Sequence, residues 1–403
     1  MGSWEQGCLR TWTMSDESKV NEGQLTLIRP VVDMDEAVRL ACTLYGLKLS
    51  DICHVKEFEG YDDRNFYLKG TLPHHVDFAH DRLRQNGDEF VLKILNHVDS
   101  QDIVYVQGQN EALLFLKEMG FNCPAPIKAL NGEYAVTCAI KCGNAETSDG
   151  NKQLERIHVV RLLSFVPGKL LVDVPYKAEL LFSLGCYTAK MDKVLQEFNH
   201  PGVSSLAKKE WDLSQIHTIK SYIPSVTQDD REQKMLTLIY NKFTNDVLPQ
   251  LKNFSKQVIH GDLNFENILV EPNQCGEEYE VVSVIDFGDM SVSYRLFDVA
   301  ISMMYIILLG VRQGHSHNEA IQMTGHVLCG YQSIWSLTQS ELGLLYWSVA
   351  ARFFQSFING VYKQSLEPEN PHLSDDCELI MGILQSYTTL TGEEVLNLWL
   401  SLA

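Results

Sequence analysis

Asp262, Asn267 and Asp286 have the residue types and the spacing to move a phosphoryl group. Asp262 closes His260-Gly261-Asp262, directly behind the β-branched pair Val258-Ile259. Asp286 opens Asp286-Phe287-Gly288-Asp289, directly behind the apolar run Val281 to Ile285. One aspartate can orient and deprotonate an attacking hydroxyl. The other, with the asparagine, offers hard oxygen ligands for a Mg²⁺ ion bridging nucleotide phosphates. Either short motif alone means little, because Asp and Gly are common in turns. H-G-D-x-N-x-x-N-I-L followed by I-D-F-G-D, a hairpin's length apart, is far more restrictive.

The elements that must position these residues follow from the periodicity. Ile268 to Val270 and Tyr279 to Ile285 are two apolar runs separated by the turn cluster Glu271 to Glu277, so they predict a hairpin holding the three side chains at one end. Upstream, Glu89 to Leu95 reads as a buried strand interrupted by Lys93, a charge that needs an anionic partner or a bound phosphate. Ile52 to Phe58 predicts a strand leading into the polar turn Glu59 to Phe66. That turn holds Gly60 and Asn65, and its N–H groups can face a phosphate although it lacks a full G-x-G-x-x-G. Helices are expected from Asp33 or Asp35 to Tyr45 and from Gln101 to Gly120. The stretch Pro73 to Gly87, with His74, His75 and His80, reads as a solvated loop. Strands Tyr134 to Ile140 and Ile157 to Ser164 flank a polar loop at 143–152, and Pro167-Gly168 is read as a hinge. Beyond it helical spacing dominates: Ala178 to Phe198, Gln228 to Leu251, Tyr294 to Leu309, Asn318 to Tyr331, Gln339 to Gly360, Asp376 to Leu390 and Glu393 to Leu400. Asp298 either braces the catalytic loop or caps its helix. A lobe at 23–167 and a second at 168–403 follow, behind a disordered leader at 1–22 in which Met14 offers a second start.

Length and charge bound the function. The chain has 403 residues, 45% hydrophobic and 21% charged, enough for a bilobal unit with a substantial core. A formal charge of −19 argues against nucleic-acid and anionic-membrane partners. The ten cysteines are scattered without zinc-site spacing, which fits free thiols in a reducing compartment. Val299 to Val311 is too short an apolar run to span a bilayer. Trp4, Glu5 and Arg10 interrupt any signal-peptide core, and Gln6 spoils a myristoylation motif at Gly2. A cytosolic protein is the expectation.

Together, YDDRNF (61–66), FVLKI (90–94), QNEALLFLKEMGF (109–121), VVRLLSFVPG (159–168), HGDLNFENIL (260–269) and IDFGDM (285–290) resemble the protein-kinase-like superfamily. Gly261, where a protein kinase has Arg, points to its aminoglycoside phosphotransferase-like branch. The resemblance runs over roughly residues 33 to 400. It implies an α+β, bilobal protein-kinase-like fold with a mixed β/α N-terminal lobe, a five-stranded and mostly antiparallel sheet, and a mainly helical C-terminal lobe. It also implies Asp262 as base, Asn267 and Asp286 as metal ligands, and Lys93 as the phosphate-binding lysine, partnered by Glu111 or Gln109. Gly60 and Asn65 would lie at the phosphates, Leu163 to Val166 at the nucleobase, and Asp289 at the acceptor. The implied cofactors are Mg²⁺ and GTP or ATP; the implied reaction is phosphorylation of a small hydroxylated amine or amino acid. The YDD-NF, QN and DFGDM details imply 5-hydroxy-L-lysine as acceptor. Choline, ethanolamine, homoserine and methylthioribose are the alternatives, and a non-catalytic scaffold would be expected to have lost Asp262 or Asp286. An amino-acid acceptor brings a carboxylate that Arg352 can clamp bidentately; a structural ion pair is the other reading of that buried-looking arginine.

Overall fold

Alternation of apolar and polar side chains builds the first lobe around one sheet. The structure, a computed structural model, describes residues 29–50, 55–58, 60, 63–73, 89–142, 155–204, 211–366 and 376–402. The leader, the histidines at 74–80 and the polar loop at 143–152 lie outside the described residues. In chain order the first lobe contains α1 (Met34–Tyr45), β1 (Lys48–Leu49), β2 (Lys56–Phe58), β3 (Arg64–Thr71), β4 (Glu89–Ile94), α2 (Ile103–Glu118), β5 (Pro126–Ile127), β6 (Val136–Lys141) and β7 (Glu155–Ser164). All sheet pairings are antiparallel, in the order β1-β3-β4-β7-β5, with β2 also on β3 and β6 also on β7. Two short strands, β1 and β5, extend the expected five to seven. Register aligns Asn65 with Lys93 and Lys93 with Arg161, so two cations neighbour each other across β4 and β7.

Asp33 is the residue that caps α1, accepting from Glu36 N, and Gly46 ends the helix at φ 67°. The helix buries Ala37, Leu40, Ala41 and Tyr45 against Phe66, Leu68, Phe90, Leu92 and Ile94 of the sheet. Each large side chain removed from water there contributes about 2 kcal/mol. Tyr45 also satisfies its hydroxyl on Val160 O at 3.1 Å.

The second lobe starts with β8 (Lys169–Leu170), α3 (Ala178–Leu195), α4 (Pro201–Ser204), a 3₁₀ segment (Leu213–Tyr222) and α5 (Ile223–Val226). Then come α6 (Asp230–Lys242), α7 (Leu248–Leu251), β9 (Gln257–Ile259), β10 (Ile268–Pro272), β11 (Tyr279–Val284) and β12 (Ser291–Ser293). It finishes with α8 (Arg295–Arg312), α9 (His317–Met323), α10 (Gly325–Ile334), α11 (Gln339–Leu366), α12 (Cys377–Tyr387) and α13 (Gly392–Leu400). The expected helix over 228–251 is split by a π turn at Phe243–Val247, immediately before Pro249, which has no N–H for the ladder. The expected helix over 318–331 is two helices, interrupted at Thr324.

β10 and β11 form the expected hairpin, closed by Asn273 N on Glu278 O, with β8 as a third strand. β9 pairs with β12. One core runs through α3, α8 and α10 to α13, and Ala112, Leu113 and Leu116 of α2 join it from the first lobe. Among the described residues no helix is long and apolar enough to cross a membrane.

Candidate active site

The β9–β12 pair ends where the chemistry begins. After Ile259, the backbone N–H groups of His260 and Gly261 each donate to one oxygen of Asp298, both at 2.8 Å. Asp298 therefore braces this loop from α8, whose cap is Tyr294. Gly261 sits at φ 82°, and a Cβ there would lie 2.4 Å from Asp289 O, so no larger residue fits without moving the Asp286–Asp289 turn. His260 Nε2 donates to Ile285 O at 3.1 Å, and its Nδ1 accepts from Asp262 N at 3.2 Å. Those two bonds select one tautomer of a ring that burial keeps neutral. One imidazole thus links the Asp262 loop to the strand end that carries Asp286.

Asp262 is held at both oxygens. Oδ2 accepts from Asn264 Nδ2 at 2.7 Å and from Asn267 Nδ2 at 3.0 Å; Oδ1 accepts from Arg352 Nη2 at 2.9 Å. Burial raises its pKa, and the Arg352 guanidinium pulls the other way. Asn264 shapes the loop as well, its Oδ1 receiving the N–H groups of Glu266 and Asn267. Arg352 comes from the middle of α11 and is 1% exposed. Trp211 and Tyr305 lie against its guanidinium with ring centroids 4.9 and 5.5 Å away, while Nη1 donates to Trp211 O and Gln355 Oε1. The arginine is in an ion pair, and its partner is the candidate base itself.

Asp286 stands at the mouth of the β10–β11 hairpin, where Ile285 N donates to Asn267 O at 2.8 Å. It adopts φ 57°, the only non-glycine residue with positive φ among those described. Such a backbone costs on the order of 1–3 kcal/mol and persists only where neighbours over-determine it. Here Gly288 N donates to Oδ1 at 3.2 Å and Lys93 Nζ approaches the same atom at 2.8 Å. Against burial, which works to raise it, Lys93 and Arg161 hold the Asp286 pKa down at about 2. Asp286 is therefore ionised throughout the neutral range. A carboxylate beside the Asn267 amide is an all-oxygen donor pair. Because Asn267 commits Nδ2 to the Asp262 carbonyl and carboxylate, its Oδ1 is the atom left for a cation. That set suits Mg²⁺, which takes one or two protein oxygens and completes its shell with water and phosphate.

Lys93, with its side chain 7% exposed, has a second carboxylate partner in Asp63 at 3.2 Å. This corrects the expectation for α2. The helix starts at its Asp102 cap, and its register places Val104, Gln107 and Glu111 on the solvent side, so Glu111 does not reach the lysine. Gln109 faces inward but donates to Gly288 O at 3.2 Å, beside the Tyr105 hydroxyl 2.8 Å from the same oxygen. Helix α2 thus grips the Asp286–Asp289 turn and leaves the lysine to Asp63. Gly60 and Asn65 are neighbours, Asn65 Nδ2 lying 2.8 Å from where a Cβ on Gly60 would stand. Asp289 packs its carbonyl on Gly261, and its charge helps to keep Arg352 protonated.

Asp63, Asn264 and Arg161 were not singled out from the sequence. Arg161 has the same signal as Lys93, one charge inside an apolar strand, and it is fully buried with, among the described residues, one long bond to Asn110 Oδ1.

A sequence model described as the phosphotransferase enzyme family matches residues 55–320. A hydroxylysine kinase of Xenopus laevis is 32% identical over 384 residues, which is 93% of this chain and 95% of that relative. The chain belongs to the phosphotransferase enzyme family. A hydroxylysine kinase of Bos taurus is 31% identical over 350 residues, 85% of this chain and 86% of the relative. The fold of this phosphotransferase is shared with an amicoumacin kinase solved with AMP-PNP, Ca²⁺ and Ami, at a TM-score of 0.60 and 14% identity over 89% of this chain and 98% of the other. A microcompartment-associated aminopropanol kinase gives a TM-score of 0.54 at 15% identity, over 89% and 97%. The bilobal α+β fold is therefore one that solved small-molecule kinases share, and the chain is a phosphotransferase.

Proposed function

We propose that this phosphotransferase is a cytosolic kinase that transfers the terminal phosphate of GTP or ATP to the side-chain hydroxyl of 5-hydroxy-L-lysine. The observation that carries the acceptor is the likeness, over nearly the whole chain, to relatives named hydroxylysine kinase. In this reading Asp262 Oδ2 receives the hydroxyl proton as the oxygen turns toward the phosphorus. Asn264 and Asn267 fix the direction of that atom. Arg352, bound to Oδ1, opposes the rise in pKa that burial imposes on Asp262 and so favours its carboxylate form. In a loose phosphoryl-transfer transition state, orienting the nucleophile matters more than removing its proton early. Asp286 and Asn267 Oδ1 would hold Mg²⁺, which supplies charge to the transferring phosphoryl group. Lys93 neutralises the donor phosphates from β4, Gly60 and Asn65 lie beside them, and backbone groups of Leu163 to Val166 bind the nucleobase. Asp289 is the candidate partner for an acceptor ammonium.

The test is a panel of hydroxylated amines and amino acids assayed with ATP and with GTP. Hydroxylysine is expected to give the highest kcat/KM by at least about tenfold. A clear preference for choline, homoserine or a sugar would overturn the acceptor and leave the chemistry standing.

A further inference from the structure

We propose that Asp63, on the turn that leads into β3, takes the place of a helix carboxylate as the anion that aims Lys93 at the donor phosphates. The inference rests on the kinase reading above and concerns the same nucleotide site.

Among the described residues Lys93 has two carboxylate partners, Asp286 at 2.8 Å and Asp63 at 3.2 Å. They are not equivalent. Asp286 has a side chain 41% exposed at the cleft and belongs to the all-oxygen pair suited to a cation, so a bound divalent ion competes with Lys93 for it. Asp63 is 14% exposed and fixed independently of the lysine. Its Oδ1 accepts from Asn96 N at 2.8 Å and from Asn96 Nδ2 at 3.1 Å, which leaves Oδ2 for Lys93. Asn96 is itself locked, because Nδ2 also donates to Asp99 Oδ2 and Oδ1 accepts from Asp99 N. Asp63 is therefore bolted to the turn that opens α2, one residue before the register pair Arg64 and Ile94.

The charge balance among the described residues points the same way. Lys93 and Arg161 are buried neighbours across β4 and β7, and Arg161 has no carboxylate within ion-pair distance among the described residues. Two adjacent buried cations repel strongly unless carboxylates lie close by. With Asp286 given to a metal ion, Asp63 is the carboxylate still bonded to Lys93, and Glu111 lies on the solvent side of α2. Asp63 lies two residues before Asn65, which is proposed to face the phosphates, so the carboxylate joins the lysine to the start of that strand.

The experiment is calorimetric titration of the full chain with Mg²⁺ and a non-hydrolysable ATP or GTP analogue, alongside steady-state kinetics and thermal unfolding. Asp63→Asn is expected to weaken analogue binding roughly tenfold or more, the loss of one charge-assisted hydrogen bond, while the acceptor KM stays within about twofold. Glu111→Gln is expected to bind like wild type, and Lys93→Met to bind worst. Asp63→Glu, which keeps the charge, is expected to recover much of the binding; it also decides the matter if Asp63→Asn does not fold. Analogue binding by Asp63→Asn within about twofold of wild type, with Lys93→Met impaired, would overturn the proposal. So would Asp63→Glu binding as weakly as Asp63→Asn. A wild-type chain that binds neither analogue would instead sink the donor-site reading beneath it.

Discussion

Replacing Arg352 by Met tests whether the arginine serves Asp262 or the acceptor. Methionine fills much of the slot between Trp211 and Tyr305 but removes the 2.9 Å pair to Asp262 Oδ1 and the bonds to Trp211 O and Gln355 Oε1. Breaking a buried ion pair from one side costs about 3–5 kcal/mol, and the low end applies because Asp262 keeps 19% of its side chain open to water. A loss of about 3 kcal/mol out of a typical 5–15 leaves a folded protein with Tm lowered by several degrees. The effect depends on pH. Burial already raises the Asp262 pKa and Arg352 opposes it, so the variant's pKa rises further. A carboxyl raised in the folded state contributes stability that is fully present below its unfolded pKa and is lost as pH rises through its folded pKa. The variant should therefore lose more stability relative to wild type at pH 8 than at about pH 5. In catalysis, the acid limb of the kcat profile moves to higher pH and kcat falls about tenfold or more, with the nucleotide KM little changed. Thermal scans at the two pH values and a full pH–rate profile are the assays. If Arg352→Met raises only the acceptor KM, leaving kcat and the acid limb where they were, Arg352 holds the substrate carboxylate and the reasoning fails.

Asp192 and Asp298 are both buried, and burial followed by their mutual repulsion raises the Asp192 pKa while burial raises that of Asp298 to about 6. One proton between them explains why Asp192 Oδ1 otherwise has no hydrogen-bond partner among the described residues. Stability from that proton is complete below the ordinary carboxyl range and is lost as pH rises through the raised folded-state pKa of Asp192. Asp192→Asn, which supplies a permanent donor and keeps an acceptor for Tyr331, is expected to hold or raise Tm at pH 8 and flatten its pH dependence; a steeper slope would contradict the shared proton. Gly261→Ala forces a Cβ to 2.4 Å from Asp289 O at φ 82°, so it should destabilise by about 3 kcal/mol or abolish turnover, and a variant with wild-type Tm and kcat would count against the rigid loop.

Much of this site is legible in the chain because its parts are local. Asp262 and Asn267 lie within one loop, and the β10–β11 hairpin, with Ile285 N on Asn267 O, holds Asp286 beside them. Lys93 announces itself as a charge among apolar neighbours. Partners far apart in sequence are a different matter: Asp63 reaches Lys93 through strand pairing and a turn at Asn96, and Arg352 reaches Asp262 from a helix 90 residues away. Neither has a periodic signature. Glu111 is instructive, because Val104, Gln107 and Glu111 share the outer stripe of α2 at spacings of three and four, so helical phase argued against the residue that chemistry favoured. The break at Thr324 within 318–331 is likewise invisible to a hydrophobic pattern, because both halves keep their apolar spacing.

The most direct test of the kinase reading follows a labelled terminal phosphate from GTP or ATP, with Mg²⁺, onto 5-hydroxy-L-lysine in wild type and in Asp262→Asn. Label should appear on the side-chain oxygen of the acceptor, and Asp262→Asn should slow its appearance by roughly 10²–10⁴-fold while binding nucleotide normally. Transfer by Asp262→Asn at a near-normal rate, or no transfer to any hydroxylated amine by a wild-type chain that binds nucleotide, would contradict it.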